Sequence, residues 1–478
     1  MSLIPAAAAV LWRRDDPPRV YLARRVERMR FMGNVYAFAG GRVDEVDRRV
    51  SPDGEPGALR SAVVREMIEE LAVDLRTGGS ADADLRREIC ADPAIWENAC
   101  GPLDDLGDPC LRLVTPDFYP RRFDTHFFVR EVDQGCEPDL LAAELDAGGW
   151  DTPAAWLDRW RAGEFLLAPP TVIMLRAIAG TDPPRWERAL RAVQHEVDEP
   201  ARYQELRLDP GIRLIPLRTP TLPPALHTNC YLVGTRSAWL IDPASPWPAE
   251  QELLLATLEA ADVQLAGVLL THHHNDHIAA ATRVSQHFGI PVAAHPETAR
   301  LLDGRVAVQD QLEDGQELGF IHEDGQPGVL RVHFTPGHAL GHACFLEQRY
   351  RGLVAGDMVS TLSSILIDPA DGNMADYMDS LRRLAGLDIR TVYPAHGPAD
   401  TRRTKCIDGQ IAHRERRVND LLQALADGEQ DLEALTGLVW GDVPRPMLAF
   451  ARKSAQSILA MLQRQGSVHF DGQRARLV

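Results

Sequence analysis

Hydrophobic positions along the chain change rhythm twice. Up to about residue 205, strand-like runs such as "AAAAVLW", "RVYLARR" and "FDTHFFVRE" alternate with helical stretches such as "ALRSAVVREMIEELAVDL". This block closes on "GTDPPRWERALRAVQHEVDEPARYQ", which reads as a terminal helix and a linker. From 208 to 405 the apolar runs are shorter, and each stops at a Gly, His or Asp turn: "CYLVG", "AWLIDPAS", "GVLLTHHH", "RVHFTPGH", "GLVAGDM", "TVYPAHGP". Such runs predict buried strands whose C-terminal loops converge on one place. From 408 to 478 the pattern turns amphipathic and helical, in "IAHRERRVNDLLQALADG", "DLEALTGLVWG" and "RKSAQSILAMLQRQG". The chain there ends on "SVHFDGQRARLV", where Asp-Gly between two short runs predicts a hairpin. The expectation is a mixed α/β and α+β multidomain protein, with domains at 1–205, 208–405 and 408–478.

Length agrees, since 478 residues exceed what one hydrophobic core usually serves. A formal net charge of -18 argues against diffuse attraction to nucleic acid or anionic membrane. No apolar run approaches the ~20 residues needed to span a bilayer, so no membrane partner is expected. Seven scattered cysteines without a CxxC spacing suggest a reducing compartment. The opening "MSLIPAAAAVLWRRDD" lacks a basic segment before its apolar stretch and is read as a first strand, so the cytoplasm is the expected location.

The densest chemistry is "THHHNDHIAA", residues 271–280. On the extended segment leaving "LAGVLL", alternation puts His272 and His274 on one side. Asp276 and His277 follow where the chain turns into a helical run. Three later strand ends offer His338 in "TPGH", Asp357 in "GD" and His396 in "PAHG". Five histidines and two carboxylates form a nitrogen and oxygen donor set suited to Zn, Fe or Mn rather than to Mg or Ca.

In kind and order these residues resemble the metallo-beta-lactamase fold superfamily, whose HxHxDH signature stands here as "HHHNDH". The resemblance implies an αββα sandwich over 208–405 with two divalent ions, Zn or alternatively Fe or Mn. It implies His272, His274 and His338 on the first ion, Asp276, His277 and His396 on the second, and Asp357 between them. His273 and His342 match no ligand and are left as supporting or surface residues. Asp242 in "LIDPAS" matches a buried supporting aspartate of the family or is a turn residue. Such ions lower the pKa of bound water from about 15.7 to about 7. The implied reaction is hydrolysis of an ester, thioester or phosphodiester, with Asp276 helping to position water. One departure concerns the pocket wall: "DHIAAA" stands where family members often have glycines.

A second motif is "REMIEEL", residues 65–71, which stacks Glu66, Glu69 and Glu70 at i, i+3 and i+4. With the preceding "YAFAGGRVDE" it resembles the Nudix box, and implies an α/β/α sandwich in which Glu66, Glu69 and Glu70 hold Mg or Mn against a diphosphate. Arg65 would orient them and Glu70 would be catalytic. "FAGG" replaces the usual Phe-Pro-Gly-Gly, and Ala72 stands where the box has Gly. The longer spacer between Gly41 and Arg65, with "PRRFDTHFF" and "APPT", looks like the coenzyme A diphosphatase branch of Nudix motif nineteen type. Arg121 and Arg122 either contact substrate phosphates or pair with nearby carboxylates.

From 401 to 478 there are twelve Lys or Arg against nine Asp or Glu, the least acidic part of the chain. The helices and hairpin suit a small winged helix, and "AHRERRVNDLLQAL" resembles the tail of the beta-lactamase-like protein two group of single-strand endoribonucleases. Arg414, Arg416, Arg417, Arg452 and Lys453 either neutralise phosphates or form a solvated face on a packing module. Three roles follow: a metallo-hydrolase with Nudix diphosphatase activity on thioesters or nucleoside diphosphate derivatives such as coenzyme A, an enzyme that cuts single-stranded RNA, or a hydrolase regulated by a nucleotide-sensing Nudix-like domain.

Overall fold

The computed structural model describes residues 3–29, 32–51, 53–197, 206–426, 428–441 and 443–478. The chain divides into two compact units, Met1–Pro210 and Gly211–Val478. The end of the expected linker, 198–205, lies outside the described residues.

In the first unit the alanine-rich strand Ile4–Arg13 runs parallel to Phe123–Val132 along its whole length. Strand order across the sheet is Leu166–Leu167, Val35–Ala37, Arg19–Arg25, Ile4–Arg13, Phe123–Val132, Leu111–Val114, and Gly40–Arg42 and Leu145–Asp151 are added to its inner strands. Side chains alternate between two cores: Ala7, Ala9 and Leu11 pack with Ala62, Val63, Met67 and Leu71 of helix Glu55–Leu71. Ala8 and Val10 face the other way, against Trp156, Trp160, Val172 and Leu175. A strand covered on both faces has no polar side to show, which explains its uninterrupted apolar run. The helix stops earlier than its pattern predicts: Ala72 is left-handed at φ 53°, and Val73–Asp74 becomes a strand against Gly79–Ser80.

In the second unit the hairpin of Ile212–Arg218 and His227–Gly234 continues into Ser237–Ile241, which runs parallel to Gln264–Leu270, itself parallel to Val292–Ala294. A second run pairs Glu317–Ile321, Pro327–Phe334, Ala343–Glu347 and Gly352–Ser360 antiparallel in turn, then adds Thr391–His396 in parallel. The two runs meet at Ser237 and Ile321. At the other end Asn229 Nδ2 donates to Pro394 O (2.8 Å) and Gly397 O (2.7 Å), which draws the strand carrying His396 toward the first run.

The C-terminal block belongs to this second unit. Leu421, Leu432, Leu435, Ile458 and Leu462 share one core with Leu353, Tyr377, Leu381 and Val392. Strands Val468–Phe470 and Arg474–Leu477 form the expected hairpin, and Gln430–Asp431 joins it as a third strand. No described helix is long and apolar enough to cross a membrane.

Candidate functional site

Strand Gln264–Leu270 is followed by Thr271, and both Thr271 and His272 are fully buried. His274 is the N-cap of the short helix Asn275–Ile278, so Asp276 and His277 leave its first turn on a new heading. His338 stands in the turn after Pro327–Phe334, and His396 closes Thr391–His396. Asp357 sits within Gly352–Ser360 where the register slips on both sides of Gly356, whose φ is +50°. Such an irregularity re-aims a side chain out of the pleat.

The side chains converge in two groups. Ligand atoms of His272, His274, His338 and Asp357 lie within 4.8 Å of one another, as do those of Asp276, His277 and His396. Asp357 faces both: Oδ2 is 3.4 Å from His338 Nε2, while Oδ1 is 3.3 Å from His396 Nε2 and 3.7 Å from His277 Nε2.

Proton bookkeeping shows what these groups lack. Asp242 accepts from Thr271 N (2.8 Å), Thr271 Oγ1 (2.6 Å) and His277 Nδ1 (2.8 Å). Because Thr271 spends its hydroxyl proton on Asp242, its oxygen accepts from His272 Nδ1 at 2.9 Å. His274 Nε2 donates to Asp371 (2.7 Å), His338 Nδ1 to Leu366 O (2.9 Å) and His396 Nδ1 to His227 O (3.1 Å). Each neutral imidazole carries one N–H, so five outward protons leave five inward lone pairs. Yet His272 Nε2 and His274 Nδ1 are 2.9 Å apart, and His338 Nε2 and His274 Nδ1 3.1 Å. Bare lone pairs at that distance repel, and only a shared cation or an added proton makes the arrangement favourable. His277 Nε2 and Asp357 Oδ1 are also buried without a hydrogen-bond partner. The donor set therefore fits divalent metal ions.

Electrostatics agree. Burial, reinforced by the neighbouring imidazoles, holds His272 well below its ordinary pKa, and burial brings His338 down to about 4. Burial also opposes charge on His277 and His396, but Asp357 and its neighbouring carboxylates overcome it and raise both. The carboxylates thus favour positive charge at His277 and His396, as they would favour a cation there.

Three residues around the two groups support them. Asp242 is a buried anchor, not merely a turn residue. Asp371, which the sequence reading did not single out, binds His274 and lies 3.5 Å from His273 Nε2. His342 is buried and its Nε2 accepts from the Asp357 amide at 3.1 Å, so it supports the site and is spent as a donor.

In the first unit, Arg65 is buried between carboxylates. It bonds Asp47 (2.8 Å) and Glu66 (3.0 Å) and reaches Glu69 at 3.3 Å. Glu70 accepts from the Gly40 amide at 3.1 Å. Among the described residues, Glu66, Glu69 and Glu70 do not form a group with all ligand atoms within 4.8 Å. Burial raises Glu66 well above its ordinary pKa and brings Glu70 to about 7. Arg121 lies over the Phe123 ring, and Arg122 donates to Thr115 O at 2.9 Å.

Three of the five basic residues singled out in the tail are engaged with groups of the second unit. Buried Arg414 donates to Ile365 O, Arg417 donates to Val439 O, and Lys453 pairs with Asp368 at 2.5 Å. Arg416 and Arg452 are exposed.

The metallo-beta-lactamase superfamily profile matches residues 223–396. The lactamase-like protein vrtG of Penicillium aethiopicum is 30% identical over 279 residues, 55% of this chain and 83% of that protein. A beta-lactamase domain protein from Burkholderia ambifaria shares the fold at 19% identity and a TM-score of 0.50, over 57% of this chain and 93% of that one. A NUDIX hydrolase from Alicyclobacillus acidocaldarius is matched at 28% identity and a TM-score of 0.36, over 39% of this chain and 96% of that one.

Proposed function

Because this chain belongs to the metallo-beta-lactamase superfamily, we propose that its second unit is a dinuclear metallo-hydrolase of esters, thioesters or phosphodiesters. His272, His274 and His338 would hold one cation, Asp276, His277 and His396 a second, with Asp357 within reach of both groups. The observation that carries this reading is the crowding of inward lone pairs, with His272 Nε2 only 2.9 Å from His274 Nδ1. Zn, Fe or Mn bound there would acidify water and stabilise developing negative charge on the substrate. The chain's own residues do the rest. Asp242, Asp371, Leu366 O and His227 O fix four of the rings through their outer nitrogens. Asp276 has a side chain 22% exposed, against 0% for His277 and 9% for His396, so it is the most solvent-accessible of the second group. Besides holding the second cation, it would help position the attacking water.

For the first unit we propose a Nudix-type diphosphatase acting on nucleoside diphosphate derivatives, coenzyme A among them. Glu66, Glu69 and Glu70 would hold Mg or Mn, for which carboxylate oxygens are suited. Support comes from the buried, proton-hungry carboxylates of one helix face. RNA cleavage is the less supported reading, because Arg414, Arg417 and Lys453 are already engaged with groups of the protein's own second unit.

The test is metal analysis of the purified protein, then a screen of acyl-thioesters, coenzyme A and short RNA. Thiol release should be lost in His338→Ala and kept in Glu70→Gln, and diphosphate cleavage should show the reverse. Thioester hydrolysis undiminished in His338→Ala would overturn the assignment of the second unit.

A further inference from the structure

While His272 is held by Thr271, the segment 361–373 carries the other two of the three far-side partners of the first cation group, since Leu366 O takes the His338 Nδ1 proton and Asp371 takes that of His274 Nε2. Its conformation is set by a turn at Asp368, whose carbonyl accepts from Asp371 N (3.1 Å) and Gly372 N (2.6 Å) and whose carboxylate accepts from Ala370 N (3.1 Å). The other side of this segment is gripped by two helices of the C-terminal block. From helix Lys405–Ala424, Arg414 donates to Ile365 O. From helix Leu448–Arg464, Ser457 Oγ donates to Ile367 O (2.7 Å) and Lys453 pairs with the Asp368 carboxylate (2.5 Å). Lys453 and Ser457 are i and i+4, so they reach the segment from one helix face.

These contacts alternate along the chain. Ile365, Ile367 and Asp368 point their polar groups to the tail, while Leu366 O and Asp371 turn theirs to the histidines. We infer that the C-terminal block is a positioning device for one cation only. It holds segment 361–373 so that Leu366 O and Asp371 fix the tautomer and heading of His338 and His274. The rings of the second group have their outer partners elsewhere: His277 is oriented by Asp242 and His396 by His227 O, and the segment meets that group at Thr361 N, which donates to the His396 backbone carbonyl (3.4 Å) and not to its ring. The inference gives the block a role that needs no nucleic acid, and it rests on the proposed assignment of His272, His274 and His338 to one cation. Outer partners of metal-bound histidines are worth about 10- to 100-fold in metal affinity.

The experiment titrates metal-free full-length protein with cobalt and follows the absorption of the bound ion. The parent should show two binding steps, one of which His338→Ala removes. In the Lys453→Met, Ser457→Ala double variant that same step should weaken about tenfold, with the other step unchanged. Amide exchange of 361–373 should also quicken in the metal-free double variant, and Lys453→Arg alone should behave as the parent. If both steps keep the parent's affinity, or both weaken together alongside a lower thermal midpoint, the tail is only packing and the inference is wrong. If the parent shows no step that His338→Ala removes, the metal assignment itself fails and takes the inference with it.

Discussion

Asp242 offers the sharpest test of how the site is built, because one buried carboxylate accepts three hydrogen bonds. Truncation in Asp242→Ala leaves the Thr271 amide, the Thr271 hydroxyl and His277 Nδ1 without that acceptor. Each buried group left unsatisfied costs about 1–3 kcal/mol. The Thr271 hydroxyl still has His272 Nδ1 at 2.9 Å, so its loss is the smallest. The expected total is about 3–5 kcal/mol, a large part of the roughly 5–15 kcal/mol that holds a domain together. Asp242→Asn separates stability from chemistry. Asparagine accepts αL geometry, and Asp242 has φ 50°, so the backbone is not strained. With the amide oxygen kept on Thr271 N, its NH2 faces His277 Nδ1, and two donors cannot bond. His277 must then move its proton to Nε2, the nitrogen that faces Asp276 and Asp357. The asparagine variant should therefore lose only about 1–2 kcal/mol yet bind the second cation about 10- to 100-fold more weakly. Urea denaturation in chelator measures the first quantity, and metal titration the second. An asparagine variant that keeps both cations at the parent's affinity would refute the tautomer argument, and an alanine variant with an unmoved urea midpoint would refute the stability estimate.

What the chain reveals before folding depends on whether a residue's role is local. His272, His274, Asp276 and His277 stand together, and His338, Asp357 and His396 each close or interrupt a buried run, so strand periodicity alone places them at converging ends. Asp371 escaped notice because "DPADGN" has the composition of any surface turn, and its partner His274 lies 97 residues away. Asp47 was hidden in the same way: "DEVDRR" reads as a solvated helix, yet Asp47 is fully buried under Arg65 and Ser61. The tail left two readings open. Its arginines look like a phosphate-binding stripe, but Arg414 is buried, donates to a backbone carbonyl of another segment and lies over the Tyr377 ring. Charge and period tell which residues can face water. They do not tell which of them a distant segment will cover.

Three further outcomes are expected. Ala72→Gly should stabilise the first unit by about 0.5–1 kcal/mol, since Ala72 holds a left-handed φ of 53° after helix Glu55–Leu71, and a lowered urea midpoint would contradict this. Gly41→Ala would place a Cβ 2.2–2.3 Å from the Glu66 carboxylate, which Arg65 pins at 3.0 Å; the Mg requirement for diphosphate cleavage should rise about tenfold while thioester hydrolysis stays unchanged. Glu70 supplies the pH dependence. Burial brings its pKa to about 7 from an ordinary 4.5, with Arg25 and the Gly40 amide opposing and Glu144 and Glu69 adding to the rise. The folded metal-free state thus binds this proton more tightly than the unfolded chain does. Its contribution to stability is complete below about pH 4.5 and is lost as pH rises through about 7, a difference of about 3 kcal/mol. Glu70→Gln stays neutral and keeps an oxygen for the Gly40 amide. In chelator it should match the parent near pH 4.5 and exceed it by up to about 3 kcal/mol at pH 8. Adding Mg at pH 8 should raise the parent's urea midpoint more than the variant's, because the parent has one more buried carboxylate charge for the cation to neutralise. A variant no more stable than the parent at pH 8 would mean that this carboxylate is already satisfied without metal, and the cation-binding role of its helix would have to be abandoned.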